Sequence, residues 1–151
     1  MPLSPYRSSQ DRQTWSDKLA QRAQAQSIEI GRSVEGRPIT AYRVPSSQEK
    51  APKLLCAANI HGVEYIATEV ALGFFAALTQ PQSAAFALRE KAEIWIVPTI
   101  NPDAYHRVWL QEGKGTLAEL RTNQNGVDLN RNFPRPINAP PSWLPGTGSD
   151  R

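Results

Sequence analysis

Leu54-Leu55-Cys56-Ala57-Ala58-Asn59-Ile60-His61-Gly62-Val63-Glu64 is the stretch on which the fold turns. Its first five residues are a short, mostly apolar run introduced by Pro52, the pattern of a strand buried on both faces of a sheet. Downstream, Ile66, Val70, Phe74 and Leu78 recur every four residues, Ala67, Ala71 and Ala77 widen the stripe, and Pro81 ends it. That spacing predicts an amphipathic helix. In open α/β sheets, sites lie beyond the carboxyl ends of strands, which is where His61 and Glu64 fall. At i and i+3 on a first helical turn, an imidazole and a carboxylate project to the same side, so one divalent cation can accept both. Taken alone, such a pair is more often simply solvated.

Working outward, Ser8 with Asp11 resembles a helix cap, and Trp15, Leu19 and Ala23 repeat every four residues through a polar segment that ends near Gln26. An amphipathic helix is expected there. Ile28-Glu29-Ile30 alternates, Gly36 supplies a turn, and Ile39 to Val44 alternates again, which predicts a hairpin. On the far side of the central helix, a short helical piece around Ala84 to Arg89 precedes Ile94-Trp95-Ile96-Val97, a second buried strand. Asn101-Pro102-Asp103 is turn chemistry, followed to Leu120 by an irregular, partly helical loop. From Pro134 onward, prolines and glycines crowd a segment with no apolar periodicity, so residues 134–151 are expected to be loop.

A chain of 151 residues, 40% hydrophobic, is the size of one domain, and no internal boundary or repeat divides residues 1–151. The net charge of +3 is small and dispersed, which argues against nucleic acid as a partner. No signal-peptide core and no stretch of membrane-span length is present, so a soluble, cytoplasmic chain with no membrane partner is the expectation. Cys56 is the single cysteine and is expected to serve as a small buried hydrophobe.

Three blocks carry chemistry: His61 with Glu64, the turn at Asn101 to Asp103, and Leu120-Arg121-Thr122-Asn123-Gln124-Asn125-Gly126-Val127-Asp128-Leu129-Asn130-Arg131-Asn132-Phe133-Pro134. Together and in this order they resemble the zinc metallocarboxypeptidase family of the carboxypeptidase A type. The pattern from Arg121 to Pro134 is similar to its bacterial murein peptide amidase branch, and Gly31-Arg32-Ser33 with Gly36-Arg37-Pro38 resembles the hairpin that opens such domains. The resemblance runs from about Ile28 to Pro134. It implies an α/β fold with a mixed, largely parallel sheet flanked by helices in three layers, incomplete at its C-terminal side.

The resemblance also implies roles. His61 and Glu64 match two ligands of a catalytic Zn2+. Arg121 matches the arginine that polarises the scissile carbonyl, a task suited to a permanently charged guanidinium. Asn130 and Arg131 match the pair that grips the substrate's terminal carboxylate. Asp128 matches a carboxylate that bonds the ligating histidine and fixes its tautomer. The implied activity is hydrolysis of an amide bond near a free carboxylate, in an ordinary peptide or in a cell-wall peptide. Each residue has a plainer reading when seen alone: Arg121 as a surface arginine, Asp128 as a turn cap, the Asn101 turn as structural, and His106 as a surface or partly packed residue.

The resemblance covers only the front of the family's domain. A catalytic zinc takes about three protein ligands, and no histidine follows His106 to act as the third. The family's general-base glutamate has no counterpart either, because Glu112 and Glu119 precede Arg121. The chain alone is therefore expected to hold zinc weakly and to hydrolyse nothing. The competing expectation is a non-catalytic module that binds a peptide carboxylate through Asn130 and Arg131.

Overall fold

Helix α1 spans Ser9–Ala23 in the computed structural model, which describes residues 6–134. Residues 1–5 and, from the expected Pro/Gly-rich loop, 135–151 lie outside the described residues. The Ser8 hydroxyl accepts from the Asp11 amide at 3.1 Å, as the sequence indicates, and satisfies one of the donors a helix start leaves unpaired. Gln24 turns left-handed and stops the helix, so Gln26 already belongs to the first strand.

Strands β1 (Gln26–Arg32), β2 (Pro38–Val44), β3 (Lys53–Ala57) and β4 (Glu93–Val97) form one sheet in the order β1-β2-β4-β3. The expected hairpin is β1 against β2, with a register shift between Glu29 and Gly31. Its turn closes through Gly36, whose φ of +78° is readily adopted by a residue with no Cβ. The sheet is mixed, and its parallel part is one pairing, β3 with β4; β2 meets β4 antiparallel.

Helix α2 (Tyr65–Ala77) connects β3 back to β4 by way of a 3-10 turn at Phe86–Glu90. The core forms on the face of the sheet bearing Tyr42, Val44, Ile94 and Ile96, onto which α1 places Leu19 and Ala23, α2 places Leu72 and Phe75, and the C-cap residue of α2 adds Leu78.

Two expectations about the apolar runs are corrected. Strand β3 is not buried on both faces: among the described residues it has one neighbour and forms an edge, leaving Leu55 67% exposed. Helix α2 buries Tyr65, Thr68, Ala71, Leu72 and Phe75, while Ile66 and Val70, the start of the expected stripe, point outward at 62% and 63% exposure. A helix that is apolar nearly all round does not reveal its inner face by spacing alone.

The segment after β4 is also more ordered than expected. Asn101-Pro102-Asp103 opens helix α3 (Pro102–Leu110): Asn101 Oδ1 accepts from the Ala104 amide at 3.3 Å, and Pro102 takes the first helical position, where a missing N–H costs nothing. Helix α4 (Leu117–Arg121) follows, started by a reciprocal capping pair between Thr116 and Glu119. A second cluster, Tyr65, Tyr105, Val108 and Leu120, joins α2, α3 and α4. No helix among the described residues is long and apolar enough to cross a membrane.

Candidate metal centre

Parallel pairing brings the carboxyl ends of β3 and β4 to the same place, and the loops leaving them continue the pairing. Ala58 N–H donates to Val97 O at 2.9 Å, Ile100 N–H to Ala58 O at 2.9 Å and Asn101 N–H to Asn59 O at 3.2 Å. His61 sits in the first of these loops, 3% exposed, one residue ahead of a glycine that α3 crowds closely. Glu64 is the N-cap residue of α2, yet its carboxylate makes no capping bond. It turns to the histidine instead: Glu64 Oε1 lies 2.7 Å from His61 Nδ1. The pair thus meets across the loop-to-helix junction rather than within a helical turn.

The other ring nitrogen is also taken up. His61 Nε2 lies 3.0 Å from Asp128 Oδ1, and Asp128 Oδ2 accepts from Arg121 Nη2 at 2.9 Å. Burial works to raise the Asp128 pKa, but the bonds from Arg121, His61 and the Asn130 amide outweigh it and hold the group at about 2. Asp128 is therefore a carboxylate at any physiological pH. It also receives the Asn130 amide at 3.0 Å, which starts a 3-10 turn at Leu129–Arg131.

Arg121 is the last residue of α4, and α4 is fastened to the histidine loop by a bond of 3.1 Å from Val63 N–H to Leu120 O. Arg107 of α3 holds the same region, donating to Gln124 Oε1 at 2.6 Å and to Thr122 O at 2.8 Å. Four of the residues singled out from sequence, His61, Glu64, Asp128 and Arg121, therefore form one connected cluster. Asn130 and Arg131 do not join it through their side chains: both are exposed, and Arg131 Nη1 donates to Asn130 O at 3.2 Å. His106 is partly packed, its Nδ1 3.3 Å from Ser9 Oγ.

The donor set fits part of a metal's coordination shell. One imidazole nitrogen and one carboxylate converge from the same side, while the other ring nitrogen is held by a carboxylate, the support that ligating histidines usually have. It does not make a complete shell: among the described residues, no group of three or more His, Cys, Asp or Glu is arranged to hold a metal ion.

A cleft of about 380 Å³ between the β1–β2 turn and α3 is lined by Glu35, Arg37, His106 and Arg107. Its arginines are already engaged, Arg37 by Asp103 and Arg107 by the α4 region.

Sequence reasoning gave Asn59 and Thr99 no role, and Asn101 and Asp103 only that of a turn. Asn59, Thr99, Asn101 and Asp103 are all buried polar side chains beneath or beside the site. Their signal in the sequence is slight, because each acts on residues distant in the chain.

An open mixed sheet with a histidine and carboxylate cluster beyond the ends of parallel strands is the architecture of an α/β protein with a site at its strand ends. The chain belongs to the zinc carboxypeptidase family, whose model matches residues 13–145. It is 36% identical over 115 residues to the carboxypeptidase N catalytic chain of Rattus norvegicus, an alignment covering 70% of this chain and 25% of that protein. Among solved structures, it resembles a metallo-carboxypeptidase from Pseudomonas aeruginosa in complex with (2-guanidinoethylmercapto)succinic acid, at 32% identity and a TM-score of 0.61, covering 77% of this chain and 30% of that one. Thrombin activatable fibrinolysis inhibitor matches with a TM-score of 0.75 at 25% identity, over 85% of this chain and 34% of its own. The chain thus spans between a quarter and about a third of the length of these relatives.

Proposed function

We propose that this chain carries the front half of a zinc-dependent carboxypeptidase or peptide amidase site, with His61 and Glu64 as two of the metal's ligands. The observation that carries the reading is the division of labour around one imidazole. Nδ1 is turned to Glu64 and Nε2 to Asp128, so one face is available to a metal and the other is held by a supporting carboxylate. Zinc bound there would lower the pKa of its water to about 7 and polarise the substrate carbonyl.

The remaining roles follow from chemistry. Asp128, charged throughout the working pH range, fixes the ring orientation of His61 and holds Arg121 in the same cluster. Arg121 supplies a permanent positive charge for the developing oxyanion. Asn130 and Arg131 grip the substrate carboxylate, a reading supported by their exposure on the 3-10 turn. The substrate is a peptide with a free carboxylate. Ordinary C-terminal residues and cell-wall peptides are the two classes to compare, and the Arg121 to Gly126 segment favours the second.

Hydrolysis needs a third ligand and a general base, so activity is assigned to a domain of full family length and not to these residues alone. The test is metal content. Carried on to full domain length, the protein is expected to hold one zinc per chain and to lose it in His61→Ala, measured by atomic emission on dialysed protein. Unchanged zinc in that variant would remove the assignment. Peptide binding by the present chain that persists in a chelator would favour the non-catalytic reading.

A further inference from the structure

We propose that Asn59 and Thr99 form a lock that positions the His61–Glu64 loop, Thr99 fixing the Asn59 amide and the amide fixing the carbonyl that joins the two residues. The significance of the lock for metal binding rests on the reading of His61 and Glu64 given above; its geometry does not.

Asn59 is 1% exposed and Thr99 2%. Thr99 Oγ lies 2.6 Å from Asn59 Oδ1, and Asn59 Nδ2 donates to His61 O at 2.9 Å and towards Gly62 O at 3.4 Å. The orientation of the amide is forced. Turned over, it would set Oδ1 against two carbonyl oxygens, so Nδ2 must face the loop and Oδ1 must face β4's exit. There the Thr99 hydroxyl is the donor that satisfies it.

The contact to His61 O matters most, because Glu64 N–H donates to the same oxygen at 3.1 Å. One carbonyl thus ties the histidine backbone to the glutamate backbone, and Asn59 holds that carbonyl. The lock completes a wider pattern: each carbonyl from Ala58 to Gly62 has a donor, namely Ile100 N–H, Asn101 N–H, Asn101 Nδ2, Asn59 Nδ2 shared with Glu64 N–H, and Asn59 Nδ2 again. A loop whose carbonyls each have a donor loses hydrogen bonds if it moves, which favours the geometry seen. Asn59 also has φ of +55°, a conformation that asparagine tolerates better than most residues. A backbone role must therefore be separated from the amide's role.

The separation uses three variants of the full chain. Thr99→Val keeps the shape and removes the hydroxyl. Thr99→Ser keeps the hydroxyl. Asn59→Gly suits the positive φ and removes the amide. The readouts are the His61 ring N–H resonance and the backbone amides of residues 61–64 in nitrogen-15 NMR spectra, recorded well below each variant's melting temperature. Thr99→Val and Asn59→Gly are expected to shift or broaden these signals, and Thr99→Ser to keep them as in the wild type. Zn2+ alone, titrated by chelator competition, is expected to bind about 10–100-fold more weakly in the first two variants.

If Asn59→Gly leaves the signals in place, backbone conformation suffices and the lock is overturned. Failure of Thr99→Ser to keep them overturns it as well. Should Thr99→Val not fold, Thr99→Ser and Asn59→Gly decide the matter. If the wild type takes up no zinc while the NMR changes occur, the lock stands, and the metal reading is decided by the zinc content of the protein at full domain length.

Discussion

Asp103 is where a single residue does most for the site's surroundings. Its Oδ1 accepts from Ser33 Oγ and Arg37 Nη1, each at 2.7 Å, and its Oδ2 from the Glu35 amide at 3.0 Å, so one buried carboxylate ties the β1–β2 turn to the start of α3. Burial alone would raise its pKa, but these donors outweigh that and hold it below the usual carboxylate range. A depressed folded-state pKa means the contribution is fully present above the unfolded value near 3.9 and is lost as pH falls through the folded value. Asp103→Asn should therefore cost about 1.5–3 kcal/mol at pH 7. In melting curves the gap from wild type should hold down to roughly pH 5 and narrow below about pH 4; a gap that stays constant at lower pH would contradict the assignment. Gly62 offers a second test. A Cβ there would lie 2.6 Å from Ala104 Cβ and 2.7 Å from that residue's backbone carbon and oxygen, so relief requires backbone movement. Gly62→Ala is expected to destabilise by about 1–3 kcal/mol and to disturb the His61 ring signal. None of this was legible in the sequence. Asp103 serves residues near position 35, and Thr99 serves Asn59, whereas His61, Glu64, Arg121 and Asp128 could be grouped because their motif preserves their order and types.

Elements were legible where a local signal matched the tertiary environment, and misread where neighbours decided. The Ser8 cap and the hairpin emerged as expected, since caps and alternation are local facts, and β4 emerged as a buried strand because it lies between β2 and β3. Strand β3 has the same apolar composition as β4 but lies at the edge, and sequence does not say which strand will be central. The Asn-Pro-Asp segment reads as a turn from sequence, and its capping geometry makes it the start of α3. The edge has a consequence. Leu55 on β3 and Ile66 and Val70 on α2 leave apolar side chains in water, and β3 is an edge strand among the described residues; each feature favours self-association. Leu55→Lys combined with Val70→Glu should lower the apparent mass in light scattering at high protein concentration. Because both residues are exposed, each change should alter stability by no more than about 0.5 kcal/mol. Association that persists unchanged in the double variant would place its cause elsewhere on the surface.

At the scale of the whole molecule, the described residues hold two cores of unequal size. The larger joins α1, α2 and the sheet; the smaller joins Tyr65, Tyr105, Val108 and Leu120, with Tyr6 and Trp109 packed against it. Among the described residues, α4 and the loop running on to Asp128 are secured by the smaller core and by polar ties such as Arg107 to Gln124 and Thr122 and the Val63 amide to Leu120 O. Segments with few buried apolar contacts open at lower free energy than a central sheet. The half of the candidate site that carries Arg121 and Asp128 is thus expected to open separately from the half that carries His61. Hydrogen exchange at pH 7 should show backbone amides in residues 118–131 exchanging about 100-fold or more faster than those of β2 and β4, a difference of about 3 kcal/mol in opening free energy. Arg107→Ala should widen that gap by speeding exchange in 118–131 alone. If that variant instead accelerates β4 equally, the two cores unfold as one unit and the His61–Asp128 contact breaks only on global unfolding.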